Sequence, residues 1–169
     1  MTETIEVQER GRTIAYSFDD MLKYHGPGSP GGVAVAFKAL QRVFELLSPD
    51  GPPPRREITV RTAFGGPGAR DGFEAVTRAV SGERFTHDPA LARPERGRLV
   101  ERFVFDVGLG EDSVTLLLRE GFVTEEFIDL ARKDGRSEQE EAHLDVLKGE
   151  LAARVMGAPA AEVFDVADA

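Results

Sequence analysis

The segment Val33 to Leu47 constrains the fold of this chain more than any other stretch. Val33, Ala36, Phe37, Leu40, Val43, Phe44 and Leu47 recur at helical spacing, with Lys38, Gln41, Arg42 and Glu45 on the opposite side. That pattern predicts an amphipathic helix that must bury an apolar stripe, and it is read as the central core helix. Both ends are punctuated. Ser48-Pro49-Asp50-Gly51-Pro52-Pro53-Pro54 stops it, because a proline run cannot continue a helix and makes an extended connector instead. Before it lies Tyr24-His25-Gly26-Pro27-Gly28-Ser29-Pro30-Gly31-Gly32, whose glycines free the backbone to approach a neighbour or a ligand closely.

A second loop repeats this design. Phe64-Gly65-Gly66-Pro67-Gly68-Ala69-Arg70-Asp71-Gly72 follows the alternating, strand-like run Glu57 to Phe64 and opens a short amphipathic helix over Ala69 to Val80, ended by Ser81-Gly82. The first NH groups of a helix have no internal acceptors, so both loops are places that favour an anion. Neither carries the Gly-Lys-Ser/Thr of a phosphate-binding loop, and neither has the glycine spacing of a dinucleotide fold.

On the N-terminal side, Ile5 to Ala15 alternates around Glu9-Arg10-Gly11-Arg12, so 1–16 reads as a hairpin or arm. Ser17 with Asp20 predicts a capped helix in which Phe18, Met21, Leu22 and His25 share a face, so the imidazole points inward. Glu83 to Arg98 reads as a strand fragment and loop. Leu99 to Val107 and Ser113 to Arg119 form a hairpin joined by Gly108-Leu109-Gly110-Glu111-Asp112. A helix follows Thr124 and ends at Asp134-Gly135. Ser137 and Glu140 box the start of another, with Leu144, Leu147, Leu151 and Val155 on its buried side, so 137–169 reads as a helical extension that Phe164 anchors. The acidic opposite face is read as solvated.

The expected fold is therefore one α+β domain over 1–169: a helix, strand, helix and three further strands, with the central helix on a mixed sheet built from 57–64, 99–107 and 113–119, and C-terminal helices. At 169 residues and 41% hydrophobic content the chain can bury such a core. A net charge of −9 argues against nucleic acid and against an anionic membrane surface as partners. The absence of cysteine excludes disulfides, thiolate ligands and thiol nucleophiles. The opening residues lack the parts of a signal peptide, so a cytoplasmic location is expected.

The order of elements, with His25-Gly26 and Pro30-Gly31 before the helix Val33 to Leu47 and Asp71-Gly72-Phe73-Glu74-Ala75-Val76-Thr77 after the strand, resembles the FmdE-like family, named after a component of formylmethanofuran dehydrogenase. The resemblance spans most of residues 18–165. The family's first motif usually reads His-Gly-His-x-Cys-Pro-Gly and its second Cys-x-x-Asp. Here Pro27 replaces the second histidine, Ser29 the first cysteine and Gly68 the other, so the metal site that the resemblance implies lacks three ligands. His25 and Asp71 remain, too few for zinc or iron, which usually take about three or four protein ligands.

Three functions follow as expectations. The first is a site for a small anionic molecule where the two glycine loops meet, in a binding protein or enzyme. His25 serves there as acid or base, Asp71 orients it or shares the proton, and Tyr24, Gly26, Ser29, Gly31, Gly66, Gly68 and Arg70 bind the ligand. Ser29 is read as a turn, cap or hydrogen-bonding residue rather than a nucleophile. The second is a noncatalytic subunit or interaction module, as a homodimer in one arrangement, whose glycines are only structural. The third is a rebuilt metal site drawn from His25, Asp71, His87, Asp88 and His143. No cofactor follows from these residues.

Overall fold

The computed structural model describes residues 2–167. The chain opens with the hairpin β1 (Thr4–Glu9) and β2 (Arg12–Ser17), whose ladder closes at the pair Glu9–Arg12. Arg10 and Gly11 both take positive φ, at 53° and 77°, as a two-residue turn matched to strand twist requires. Helix α1 (Phe18–His25) starts directly from the hairpin: the Ser17 hydroxyl accepts from the Asp20 amide and the Asp20 carboxylate accepts from the Ser17 amide. Helix α2 (Pro30–Leu47) begins three residues before the expected Val33, with Pro30 at the first helical position where a missing N–H costs nothing.

Helix α2 is more than amphipathic. Every residue from Val33 to Leu40 is buried, because α1, α3 and α5 pack around it as well as the sheet. This corrects the expectation of a solvated face at Lys38, which is 2% exposed. Its ammonium lies 3.2 Å from Oε2 of Glu3, and the Gln41 amide donates to the same carboxylate at 2.6 Å. Gln41, and after it Lys38, hold the Glu3 carboxyl below its ordinary value against the opposing effect of burial. The proline run after α2 pairs with the hairpin: the Gln8 amide donates to the Pro53 carbonyl at 2.9 Å.

The main sheet has five strands in the order β4-β3-β5-β6-β7. They are β3 (Ile58–Thr62), β4 (Phe85–His87), β5 (Val104–Leu109), β6 (Asp112–Leu118) and β7 (Phe164–Val166). Strands β3 and β4 are parallel and the other pairs antiparallel, so the sheet is mixed and the class is α+β. Alternation is clean in β3: Ile58, Val60 and Thr62 face the core, while Thr59 and Arg61 face solvent. Phe105 is the aromatic hub, with ring centroids of Phe64, Phe73 and Phe164 at 6.4, 5.8 and 6.0 Å.

Several boundaries differ from expectation. The strand expected over 99–107 begins only at Val104 and continues to Leu109. Its loop shrinks to Gly110-Glu111, because Gly110 at φ 62° lets Leu109 pair with Asp112. The fragment in 83–98 is strand β4. The tail is not wholly helical: after α4 (Glu125–Ala131), α5 (Glu138–Met156) and α6 (Ala160–Val163), strand β7 adds an edge to the sheet and buries Phe164. Helix α3 (Pro67–Thr77) stops before Ser81-Gly82, with Arg78 left-handed at φ 56°.

The end of α3 is held from several sides. Arg84 donates to the carbonyls of Thr77 and Arg78, and Arg55, itself buried, donates to those of Ala75 and Val76. These cations sit where a helix dipole is negative. Glu74 accepts from the amides of Val80 and Ser81. Burial pushes its carboxyl up, but the bonds from Ser81 and Val80, with Arg78 nearby, together hold it below the ordinary value of 4.5.

Because Glu74's affinity for a proton is lower in the folded chain than in the unfolded one, its contribution is full above about the ordinary carboxylate range and is lost as pH falls through the lowered value. Urea denaturation from pH 7 to pH 3 is expected to show Glu74→Gln less stable than the parent at pH 7, with the gap closing at the acid end. Two glycine substitutions should move in opposite directions. Gly149, in exposed α5 with open space where a Cβ would stand, should gain about 0.5–1 kcal/mol as alanine. Gly68→Ala, which would collide with the Ser29 carbonyl, should lose about 1–3 kcal/mol in the same assay.

Candidate functional site

The two glycine loops meet because the N-terminal turns of α2 and α3 touch through their backbones. A Cβ on Gly32 would lie 2.7 Å from the Ala69 amide nitrogen, and one on Gly72 2.7 Å from the Ala36 Cβ. On its other side α2 leans on α5, where a Cβ on Gly31 would stand 2.7 Å from Leu151 Cδ2. Helix packing therefore accounts for Gly31, Gly32, Gly68 and Gly72 without a ligand. Gly26 is needed for a different reason: φ is 91° where the chain leaves α1.

This approach sets α1 against α3 and joins His25 to Asp71. Nδ1 of His25 lies 2.8 Å from Oδ2 of Asp71, with the two side chains 7% and 29% exposed. The carboxylate can only accept, so Nδ1 carries the proton and donates. Nε2 is buried without a partner beneath the loop, where a Cβ on Gly28 would be 3.9 Å away. Arg70 Nη1 stands 3.9 Å from the other Asp71 oxygen. Tyr24 is 56% exposed and belongs to a separate groove with Asp20, Arg55 and Arg78.

A cavity opens beside the loops, and the imidazole is not part of its lining. It measures about 460 Å³. Of the expected ligand-binding residues, Ser29, Gly31, Gly66 and Gly68 line it, while Tyr24, Gly26 and Arg70 do not, nor do the expected acid–base pair His25 and Asp71. Ser29 occupies the N-cap position of α2, yet its hydroxyl caps nothing, and Gly66 has no side chain to cap α3. The apolar wall comes from Phe64, Leu99, Phe103, Phe127, Ile128 and Leu151, with the rings of Phe64 and Phe103 stacked at 4.3 Å between centroids.

Sequence reasoning missed the charged residues of the cavity. Arg98, Arg102, Arg132 and Lys148 line it, and among the described residues no aspartate or glutamate does. Arg98 pairs with Asp129 at the rim, and Lys148 donates to the Gly28 carbonyl at 3.0 Å. A signal for part of this set was present. Arg93, Arg96, Arg98 and Arg102 fall within ten residues of a chain whose net charge is −9. Arg132 and Lys148 give no local signal, because only the docking of α4 and α5 brings them there.

The residues of the metal reading do not converge. His87 packs its ring against Gly65 with Nε2 3.2 Å from the Ala63 carbonyl, Asp88 pairs with Arg61, and His143 lies 3.2 Å from Glu126 between α5 and α4. Among the described residues no three histidine, aspartate or glutamate side chains are grouped so as to hold a metal ion. No helix among them is long and apolar enough to cross a membrane. Comparison of the chain with protein-family models and with curated proteins gives no match.

The His25–Asp71 bond is expected to be measurable in stability. Asp71→Ala leaves a nearly buried Nδ1–H unpaired beside an already orphaned Nε2 and should cost about 1–3 kcal/mol by urea denaturation. Asp71→Asn retains an accepting oxygen and should cost less.

Proposed function

We propose that this chain binds a small anionic molecule with an apolar body in the cavity between the starts of α2 and α3, the 98–103 segment, and helices α4 and α5. The observation that carries the reading is the wall itself: four cations and no carboxylate around an apolar interior, in a protein that is acidic as a whole. Two helix N-termini without side-chain caps add to the same sign of potential. A cavity of this volume lies within the range of small-molecule sites, which are mostly apolar with a few orienting polar groups.

The part given to His25 is narrower. Its hydrogen bond to Asp71 supports a held imidazole of one tautomer, the arrangement an acid–base group needs. The ring lies against Gly28 and is not among the residues lining the cavity, so in this reading His25 and Asp71 position the Gly26–Ser29 turn. The resemblance to the FmdE-like family of formylmethanofuran dehydrogenase remains a proposal about ancestry. The residues at its missing ligand positions, Ser29 and Gly68, serve the contact between helices here.

A noncatalytic module is the second reading. The observation favouring it is that helix packing suffices to explain most of the loop glycines.

A thermal-shift panel of apolar carboxylates and phosphates separates the two. A bound anion at about 100 times its Kd should stabilise the native state by about 2.7 kcal/mol, roughly 5–10 °C in Tm for a domain of this size. The shift should disappear in Arg102→Ala and persist in Arg78→Ala, which lies outside the cavity. A panel without any shift would favour the module.

A further inference from the structure

The charges around the cavity also bear on how many charges the ligand carries. Arg98 is compensated by Asp129. Lys148 meets only a neutral carbonyl, so its charge is not. The guanidinium groups of Arg102 and Arg132 have no hydrogen-bond or carboxylate partner among the described residues, although both line the cavity. Three cations therefore converge without a counter-charge, from three different parts of the chain: the 98–103 segment, the end of α4, and α5. The helix starts at Pro30 and Pro67 add about half a charge each. A single negative charge would match one of these three cations and leave the others uncompensated.

Resting on the anionic-ligand reading above, we infer that the ligand is an amphipathic dianion, an apolar body bearing a head with at least two negative charges, of the kind a phosphate monoester or a dicarboxylate supplies. Arg102 and Arg132 hold the head, since planar guanidinium groups pair with carboxylate and phosphate oxygens two at a time. Lys148 completes the positive set while tying the Gly28 carbonyl, so the same ammonium couples the ligand head to the turn above His25. Phe64, Phe103 and Phe127 receive the body.

Calorimetric titration of the full chain with matched naphthalene probes tests this. The probes are 1-naphthoate, 1-naphthyl phosphate, naphthalene-1,8-dicarboxylate and inorganic phosphate. At pH 8 one or both dianions should bind at least about tenfold more tightly than 1-naphthoate, the scale of one charge-assisted hydrogen bond; which of them does so tells a phosphate from a dicarboxylate site. From pH 5 to pH 8 the phosphate monoester gains its second charge, with a pKa near about 6, and should tighten about tenfold. The histidines nearest the cavity, His87 behind Gly65 and His25 beneath Gly28, can only gain charge toward low pH and so act in the opposite direction. The change in 1-naphthoate binding over the same range measures that opposing effect.

Arg102→Gln and Arg132→Gln should each reduce the preference for the dianion while altering naphthoate binding less. Equal affinity for naphthoate and both dianions at pH 8 would overturn the inference and leave the anionic-ligand reading standing. Inorganic phosphate binding as tightly as 1-naphthyl phosphate would overturn the amphipathic assignment. Failure of all four probes to bind would overturn the anionic-ligand reading and this inference with it.

Discussion

The contact between the first turns of α2 and α3 is the constraint on which the rest depends. It is a contact between backbones, possible only because Gly32, Gly68 and Gly72 carry no side chain. Ordinary helix packing keeps axes about 8–10 Å apart through interdigitated side chains, and glycine at the crossing allows a closer approach. From that approach follow the meeting of the two loops, the alignment of two positive helix ends, and the short reach from α1 to α3 that joins His25 to Asp71. The sheet and α5 then close around α2 from other directions. That enclosure is why even Lys38 is buried and needs Glu3.

The electrostatic arrangement runs against the composition. An acidic surface does not attract anions, yet a cleft whose charged lining is of one sign focuses potential locally. Several carboxylates of the neighbouring elements are used elsewhere: Asp129 on Arg98, Asp71 on His25, and Glu140 on Lys133 and the α5 cap. Arginines away from the cavity serve structure. Arg55 and Arg84 bind carbonyls at the end of α3, so a simple count of basic residues would not have told cavity-lining cations from structural ones.

Legibility in the sequence followed the range of the interactions. Local chemistry was readable: the Ser17–Asp20 and Ser137–Glu140 caps, the inward turn of His25, the apolar stripe of α2 and the alternation of β3 all arise within a few residues. What depended on distant partners was not. Lys38 looked solvated because Glu3 reaches it only after folding. Strand β7 was hidden because three residues give no period, and only the edge of β6 defines them. The end of α3 is held by Arg84, seven residues beyond Thr77, and by Arg55, twenty residues before Ala75, and neither shows in the helix's own pattern. The cavity shows the same division. Its glycine rim was readable as two loops of one design, whereas its cations come from three separate segments that no local pattern joins.

The closeness of α2 to α3 also divides the cavity into two walls with unequal freedom to vary. On the glycine side an added Cβ meets backbone at Gly32 and Gly68 and packed side chains at Gly31, Gly65 and Gly66, so substitution there is penalised through folding. The opposite wall has Arg98, Arg102, Phe127 and Arg132 on an irregular segment and a two-turn helix, with exposed cations whose replacement disturbs little packing. A lineage carrying this scaffold can therefore diversify what it recognises by exchanging side chains on one wall while the other is conserved by steric necessity. In related sequences, unchanging glycines would then record the architecture, and the ligand would be written in the residues that differ.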